Sequence, residues 1–167
     1  MKYLHAISHC NTQLREAIED DDEKLFRLFI ACRDDLLAAI SEWTVAQQES
    51  FLRIQFEAQR DQYYREFPDV QQQVIVREGD IIGQILVART DEFRLVDLSL
   101  LPEFRNFGIG SSLLQGLLDE AEGSGRRITL HVLQNNPAIR LYQRLGFSDA
   151  GEQGIYRRME WVPTCGA

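Results

Sequence analysis

Apolar residues recur at helical spacing from about Asp20 to Ile40, where Leu25, Leu28, Phe29, Cys32 and Leu36 share one side, and this predicts an amphipathic helix. The acidic run Glu19 to Glu23 stands at its start, where carboxylates suit the positive end of the helix dipole or solvate the first turn. A second helical stretch runs from about Val45 to Phe67 and carries Phe51, Ile54, Phe56, Tyr63 and Tyr64. It stops before Pro68, because the residue preceding a proline avoids helical conformation.

The period then shortens. Gln73 to Arg77, Ile81 to Ala88 and Phe93 to Leu100 are rich in valine, isoleucine and leucine, with Glu78-Gly79-Asp80 as a hairpin turn between the first two. Helical spacing returns from Gly108 to Glu122 and is closed by Gly123-Ser124-Gly125; Ile128 to Leu133 follows as a short strand. Pro137 to Leu145 predicts a helix ending at Gly146, and the remainder supplies one or two strands through Tyr156 to Trp161. With no internal repeat and no low-complexity linker, residues 1–167 are expected to form one domain. The element order points to an α+β fold, a mixed sheet of about six to seven strands flanked by about four helices.

A net charge of −8 opposes nonspecific nucleic-acid binding, which needs a basic surface. The positive charge is uneven, with Arg105, Arg126, Arg127, Arg140, Arg144, Arg157 and Arg158 crowding the second half, so an anionic ligand can still be held there. No segment approaches the roughly 20 apolar residues of a membrane span, and the start lacks a signal-like apolar region, so a soluble, cytoplasmic protein is expected. Three widely spaced cysteines, Cys10, Cys32 and Cys165, fit reduced thiols better than a disulfide framework. His5, His9 and Cys10 lie close together, but a polar terminus explains them as well, and no metal is expected.

The segment Leu98 to Leu114 carries the most chemistry. A strand enters a turn holding Gly108 and Gly110 and opens directly into a helix, which aims free backbone N–H groups and the helix dipole at an anion. A dinucleotide fingerprint starting at Gly108 would need glycine where Leu113 stands, and no Gly-Lys-Ser/Thr loop occurs, so neither of those phosphate motifs is present. Further on, Leu130 to Phe147 reads as a strand, an asparagine cap at Asn136, proline at the first helical position and glycine after the last turn. Taken alone, Tyr142 is a core aromatic on a short helix.

The run Arg105-Asn106-Phe107-Gly108-Ile109-Gly110 resembles the [QR]-x-x-G-x-[GA] motif of the GNAT superfamily of N-acetyltransferases, preceded as in that family by a hydrophobic strand and Pro102. Asn136-Pro137-Ala138, Leu141-Tyr142 and Leu145-Gly146-Phe147 resemble its later motif, in the expected order and distance. The likeness is close from about Arg94 to Phe147 and weaker at Leu14 to Ala17 and the acidic helix start. It implies that acetyl-CoA is the cosubstrate and an amine the acceptor. The amides from Arg105 through Asn106, Phe107, Gly108, Ile109 and Gly110 to Ser111 would hold the coenzyme diphosphate. The backbone of Leu98, Ser99 and Leu100 would pair with the pantetheine arm, and Asn135 or Asn136, the cap favouring Asn136, would contact the coenzyme. Tyr142 would protonate the departing sulfur, and the Leu100 N–H would face the thioester oxygen.

Some family members place a carboxylate or histidine on the fourth strand; the aligned position here is Arg94, which leaves Glu92, Asp97 and His131 as candidate bases, or a water chain with none. Strand alternation sets Glu92 with Arg94 and Asp97 on the opposite face unless a bulge resets the register. Trp43, Phe56 and Tyr63 are candidate walls of the acceptor pocket, each with a core alternative. An acidic protein suits a cationic acceptor, whereas Arg94 favours an amine that bears a carboxylate. A small-molecule amine is the expected acceptor, a protein or peptide N-terminus the alternative, and a non-catalytic acyl-CoA-binding module the third. An exposed strand near the C-terminus would permit a homodimer.

Overall fold

A computed structural model describes residues 11–164; His5, His9, Cys10 and Cys165 lie outside them. β1 (Thr12–Glu16) leads through a 3₁₀ turn into α1 (Asp22–Ala31), α2 (Asp34–Ala39) and α3 (Val45–Glu66). β2 (Val70–Arg77), β3 (Asp80–Arg89) and β4 (Phe93–Leu100) form a meander, followed by α4 (Ile109–Ser124), β5 (Ile128–Leu133), α5 (Ala138–Arg144), β6 (Ser148–Gln153) and β7 (Tyr156–Trp161). The seven strands make one sheet in the order β1-β2-β3-β4-β5-β7-β6. Every pair is antiparallel except β4 with β5, the pair that α4 bridges by a crossover. This is the expected α+β architecture.

The single helix expected from Asp20 to Ile40 is two. α1 ends in tight turns, with the Cys32 amide shared between the Leu28 and Phe29 carbonyls, and Arg33 leaves helical conformation at φ −123° and ψ 54°. Asp34 and Asp35 then start α2 at the positive end of a new dipole, and Arg33 forms an ion pair with Asp35 at 2.9 Å. Among the described residues the α-helices therefore number five, against the about four expected. The acidic run also does more than start a helix. Asp21 takes a bidentate pair from Arg15 at 2.7 and 2.8 Å, and Glu23 binds Arg53 of α3 at 2.7 Å. Polar α3 buries only Leu52 and Phe56, so these charged links help to hold it on α1.

α1, α2 and α3 cover one face of the sheet, where Leu25, Phe26, Leu28, Phe29 and Phe56 pack on Val74 and Ile81. α4 and α5 cover the other, with Leu114, Leu117, Leu118 and Tyr142 against Ile85, Leu95 and Leu130. The hairpin between β2 and β3 turns on Glu78 and Gly79 alone, both at positive φ (52° and 85°), the geometry of a two-residue primed turn. Among the described residues no helix is long and apolar enough to cross a membrane.

Candidate active site

The site begins with one extra residue in β4. Leu95 pairs with Val87 and Asp97 with Leu86, so Val96 has no partner of its own and forms a bulge. The bulge resets the alternation and brings Asp97 and Ser99 onto the face of Arg94, the exception that simple alternation had left open. Pairing of β4 with β5 stops at the same point, covering only Phe93 to Leu95 against Ile128 to Leu130, and beyond it the two strands part. On the other side β4 stays tight to β3. Gly83 lies opposite Leu100, and a Cβ there would collide with the Ser99 carbonyl oxygen. Leu101 donates its N–H to Ile82 at 2.8 Å, so by alternation the amides of Leu98 and Leu100 turn away from β3 toward the opening.

Asp97 sits at this opening. Its Oδ2 accepts from Ser99 Oγ at 2.8 Å and from Gln84 Nε2 at 2.9 Å, and it has no ion pair among the described residues. Burial pushes its carboxyl above the usual range, against the lowering effect of Ser99, Gln84 and the Leu98 amide. Tyr142 approaches from the α5 side, buried, with its ring edge-on to Phe147 at 5.6 Å. Burial and then the Asp97 charge push its hydroxyl up to about 12. Tyr63 on α3 is likewise raised by burial and Asp97, and Tyr156 and Arg33 lie within electrostatic reach of it. Two tyrosines, one from each face of the sheet, thus lie within electrostatic reach of the Asp97 carboxylate.

The turn after β4 presents backbone donors. Asn106 and Gly108 take positive φ (64° and 81°), and α4 starts at Ile109. The first backbone bond into α4 runs from Ser112 to the Gly108 carbonyl at 3.0 Å; among the described residues the amides from Asn106 to Ser111 have no acceptor within the chain. Nothing lies within 4 Å of where a Gly108 Cβ would stand, so the concavity is open to a ligand. These features fit a diphosphate. The Arg105 side chain turns back instead, donating to the Leu100 carbonyl at 3.0 Å and to Cys32 Sγ at 3.3 Å. Burial pushes the Cys32 thiol up, and Arg105 opposes it.

The remaining candidates separate. Asn136 Oδ1 accepts from the Ala138 amide at 2.9 Å and caps α5, whereas Asn135 is exposed in the preceding turn. Glu92 accepts from the fully buried Thr129 at 3.3 Å, and Arg94 donates to the same hydroxyl at 3.4 Å while lying 5.7 Å over the Phe67 ring. Arg94, Glu92, Glu66 and Phe67 line a cavity of about 250 Å³ at the closed end of the opening. Burial lowers Arg94, partly offset by Glu92. His131 faces Arg158 on β7, on the Thr129 side of the sheet. Phe56 is not a pocket wall: it is buried between Phe26 and Phe29 at 5.5 and 5.6 Å, because α3 has few other apolar groups with which to dock. Trp43 is 45% exposed and packs edge-on against Phe51. Gln84, bonded to Asp97, and Cys32, bonded to the Leu100 carbonyl, stand beside these residues but were not anticipated there; the legible signal was Gln84, a polar residue inside the apolar run Ile81 to Ala88.

A model of the acetyltransferase (GNAT) family matches residues 34–147. The alanine N-acetyltransferase of ribosomal protein bS18 from Escherichia coli (strain K12) is 39% identical over 62 residues, 36% of this chain and 42% of that protein. The match thus spans less than half the length of that relative. Two solved structures share the fold. The PaiA N-acetyltransferase of Thermoplasma acidophilum in complex with coenzyme A has a TM-score of 0.69 at 20% identity, covering 90% of this chain and 98% of that one. The ribosomal-protein-S18-alanine N-acetyltransferase of Escherichia coli has a TM-score of 0.63 at 18% identity, covering 93% and 96%.

Proposed function

The chain belongs to the acetyltransferase (GNAT) family, and from that membership we propose that it transfers the acetyl group of acetyl-CoA to a primary amine, with residues 1–167 acting as one domain. The observation that carries this is the convergence of Asp97 and Tyr142 on the β4–β5 opening, next to the unengaged amides of Asn106 to Ser111. Acetyl-CoA supplies an activated acyl thioester. The amides of the turn and the dipole of α4 hold its diphosphate, while the Leu98 and Leu100 amides face its pantetheine arm.

Direct attack in a ternary complex needs three services from the chain. Asp97 takes the proton that the amine nitrogen loses as the N–C bond forms, a task suited to a carboxyl that burial raises above its usual range. The Leu100 N–H faces the thioester oxygen as negative charge develops there. Tyr142 gives its proton to the sulfur as the C–S bond breaks; with its hydroxyl pushed up to about 12 it is fully protonated at neutral pH. Of the candidate bases, Glu92 and His131 fit less well, since Glu92 is engaged with Thr129 and His131 faces Arg158.

The acceptor we propose is a small primary amine, entering between Tyr63 of α3, Arg33 and Tyr156 of β7, with Arg94 beyond it at the closed end. A protein N-terminus is the second reading, favoured by the matched relatives, which acetylate an alanine of ribosomal protein bS18. Coenzyme release from acetyl-CoA, followed with a thiol reagent, separates the two: spermidine and amino-acid amides on one side, a peptide beginning with alanine on the other. Release with peptide alone overturns the small-amine reading, and release with no acceptor overturns both.

A further inference from the structure

A chain of side-chain hydrogen bonds crosses three strands and ends on Asp97. Tyr64 Oη of α3 donates to Gln72 Oε1 of β2 at 2.9 Å, Gln72 Nε2 donates to Gln84 Oε1 of β3 at 2.8 Å, and Gln84 Nε2 donates to Asp97 Oδ2 of β4 at 2.9 Å. We propose that Gln84, with Gln72 and Tyr64 behind it, is a positioning residue that orients the Asp97 carboxylate and keeps it ionised for the incoming amine. The inference rests on the reading of Asp97 as proton acceptor.

The direction of the chain follows from chemistry at one end. An ionised carboxylate only accepts, so Gln84 must turn its NH₂ toward Asp97 and its carbonyl toward Gln72. Gln72 must then donate in turn, and its carbonyl is left for the tyrosine hydroxyl. Each amide dipole points its positive end at Asp97, and bonds in series polarise one another where water is scarce. Ser99 binds the same oxygen, Oδ2. No side chain donates to Oδ1 among the described residues, so the carboxylate is fixed on one side and offered on the other. The titratable groups that feel the Asp97 charge are Cys32 at the end of α1, Tyr63 on α3 and Tyr142 on α5. All three are raised and therefore neutral near pH 7, which leaves neutral donors as the main support of the charge.

The test is a carboxyl-carbon NMR titration of the whole protein labelled at aspartate, the Asp97 signal being the one missing in Asp97→Asn. Gln84→Met keeps the shape and removes the donor. A carboxylate stripped of a donor is harder to ionise, so its midpoint moves to higher pH, and Tyr64→Phe at the exposed end moves it less in the same direction. Thiol release from acetyl-CoA with spermidine or an alanine peptide, whichever is active, falls roughly tenfold on the acid limb in Gln84→Met and recovers toward the parent value as pH rises. An unchanged midpoint in both variants, or a loss of rate equal at every pH, overturns the ladder while leaving Asp97 as the base. Full activity in Asp97→Asn overturns the base assignment and the ladder with it.

Discussion

Asp97 and Tyr142 reach the same opening from opposite faces of the sheet, and the negative charge of the first adds to burial in keeping the second protonated. The proton acceptor proposed above therefore stands on the α3 side of the sheet and the proposed proton donor on the α5 side.

Removing the phenol oxygen isolates its role. Tyr142→Phe keeps the ring on Phe147 and should lower kcat about a hundredfold with little change in affinity for acetyl-CoA. Steady-state kinetics beside a binding titration measure the two separately; an unchanged kcat would make Tyr142 a core residue only.

Gly108 tests the phosphate turn. Gly108→Val costs about 1–2 kcal/mol of stability, since φ is 81° there, but its Cβ meets no neighbour within 4 Å. The variant should fold and lose acetyl-CoA affinity by more than about tenfold, because its side chain would occupy open space at the turn proposed to hold the diphosphate. Retained affinity would move the diphosphate elsewhere.

Gly83 secures the strand that carries Asp97 and Ser99. A methyl group there collides with the Ser99 carbonyl, a backbone atom that cannot rotate aside. Gly83→Ala should cost about 1–3 kcal/mol in denaturant unfolding and raise KM for acetyl-CoA as β4 shifts. A variant of parent stability would show that β3 and β4 separate freely.

These elements differ in how far the chain announced them. The hairpin, β4 and α3 were legible because local signals agree: Glu78-Gly79, an apolar run, and Pro68. The turn at Gly108 and the Asn136 cap were legible for the same reason, as Gly108 acts through its own backbone and the Asn136 side chain on an amide two residues away. The break at Cys32 and Arg33 was hidden, since the helical period of the apolar residues runs across it and only Asp34 and Asp35 mark a new start. The face of Asp97 was undecided until the Val96 bulge fixed it, and bulges depend on the partner strand. Gln84 and Phe56 took their roles from contacts with distant segments, which spacing along one chain does not encode.

Asp21 tests the packing of the front helices. The Arg15 hydrogen bonds hold its carboxyl below the usual range, so its contribution is present above the unfolded value near pH 4 and is lost as pH falls through the lower folded value. Asp21→Asn should cost about 1–3 kcal/mol at pH 7, with the difference in Tm from the parent shrinking in acid. A difference independent of pH would separate the effect from ionisation.

The most direct measurement is calorimetric titration of the purified protein with acetyl-CoA. Saturable binding at one site per chain, weakened in Gly108→Val and kept in Tyr142→Phe, is the result this account predicts. Absence of binding, or equal binding in Gly108→Val, would contradict it.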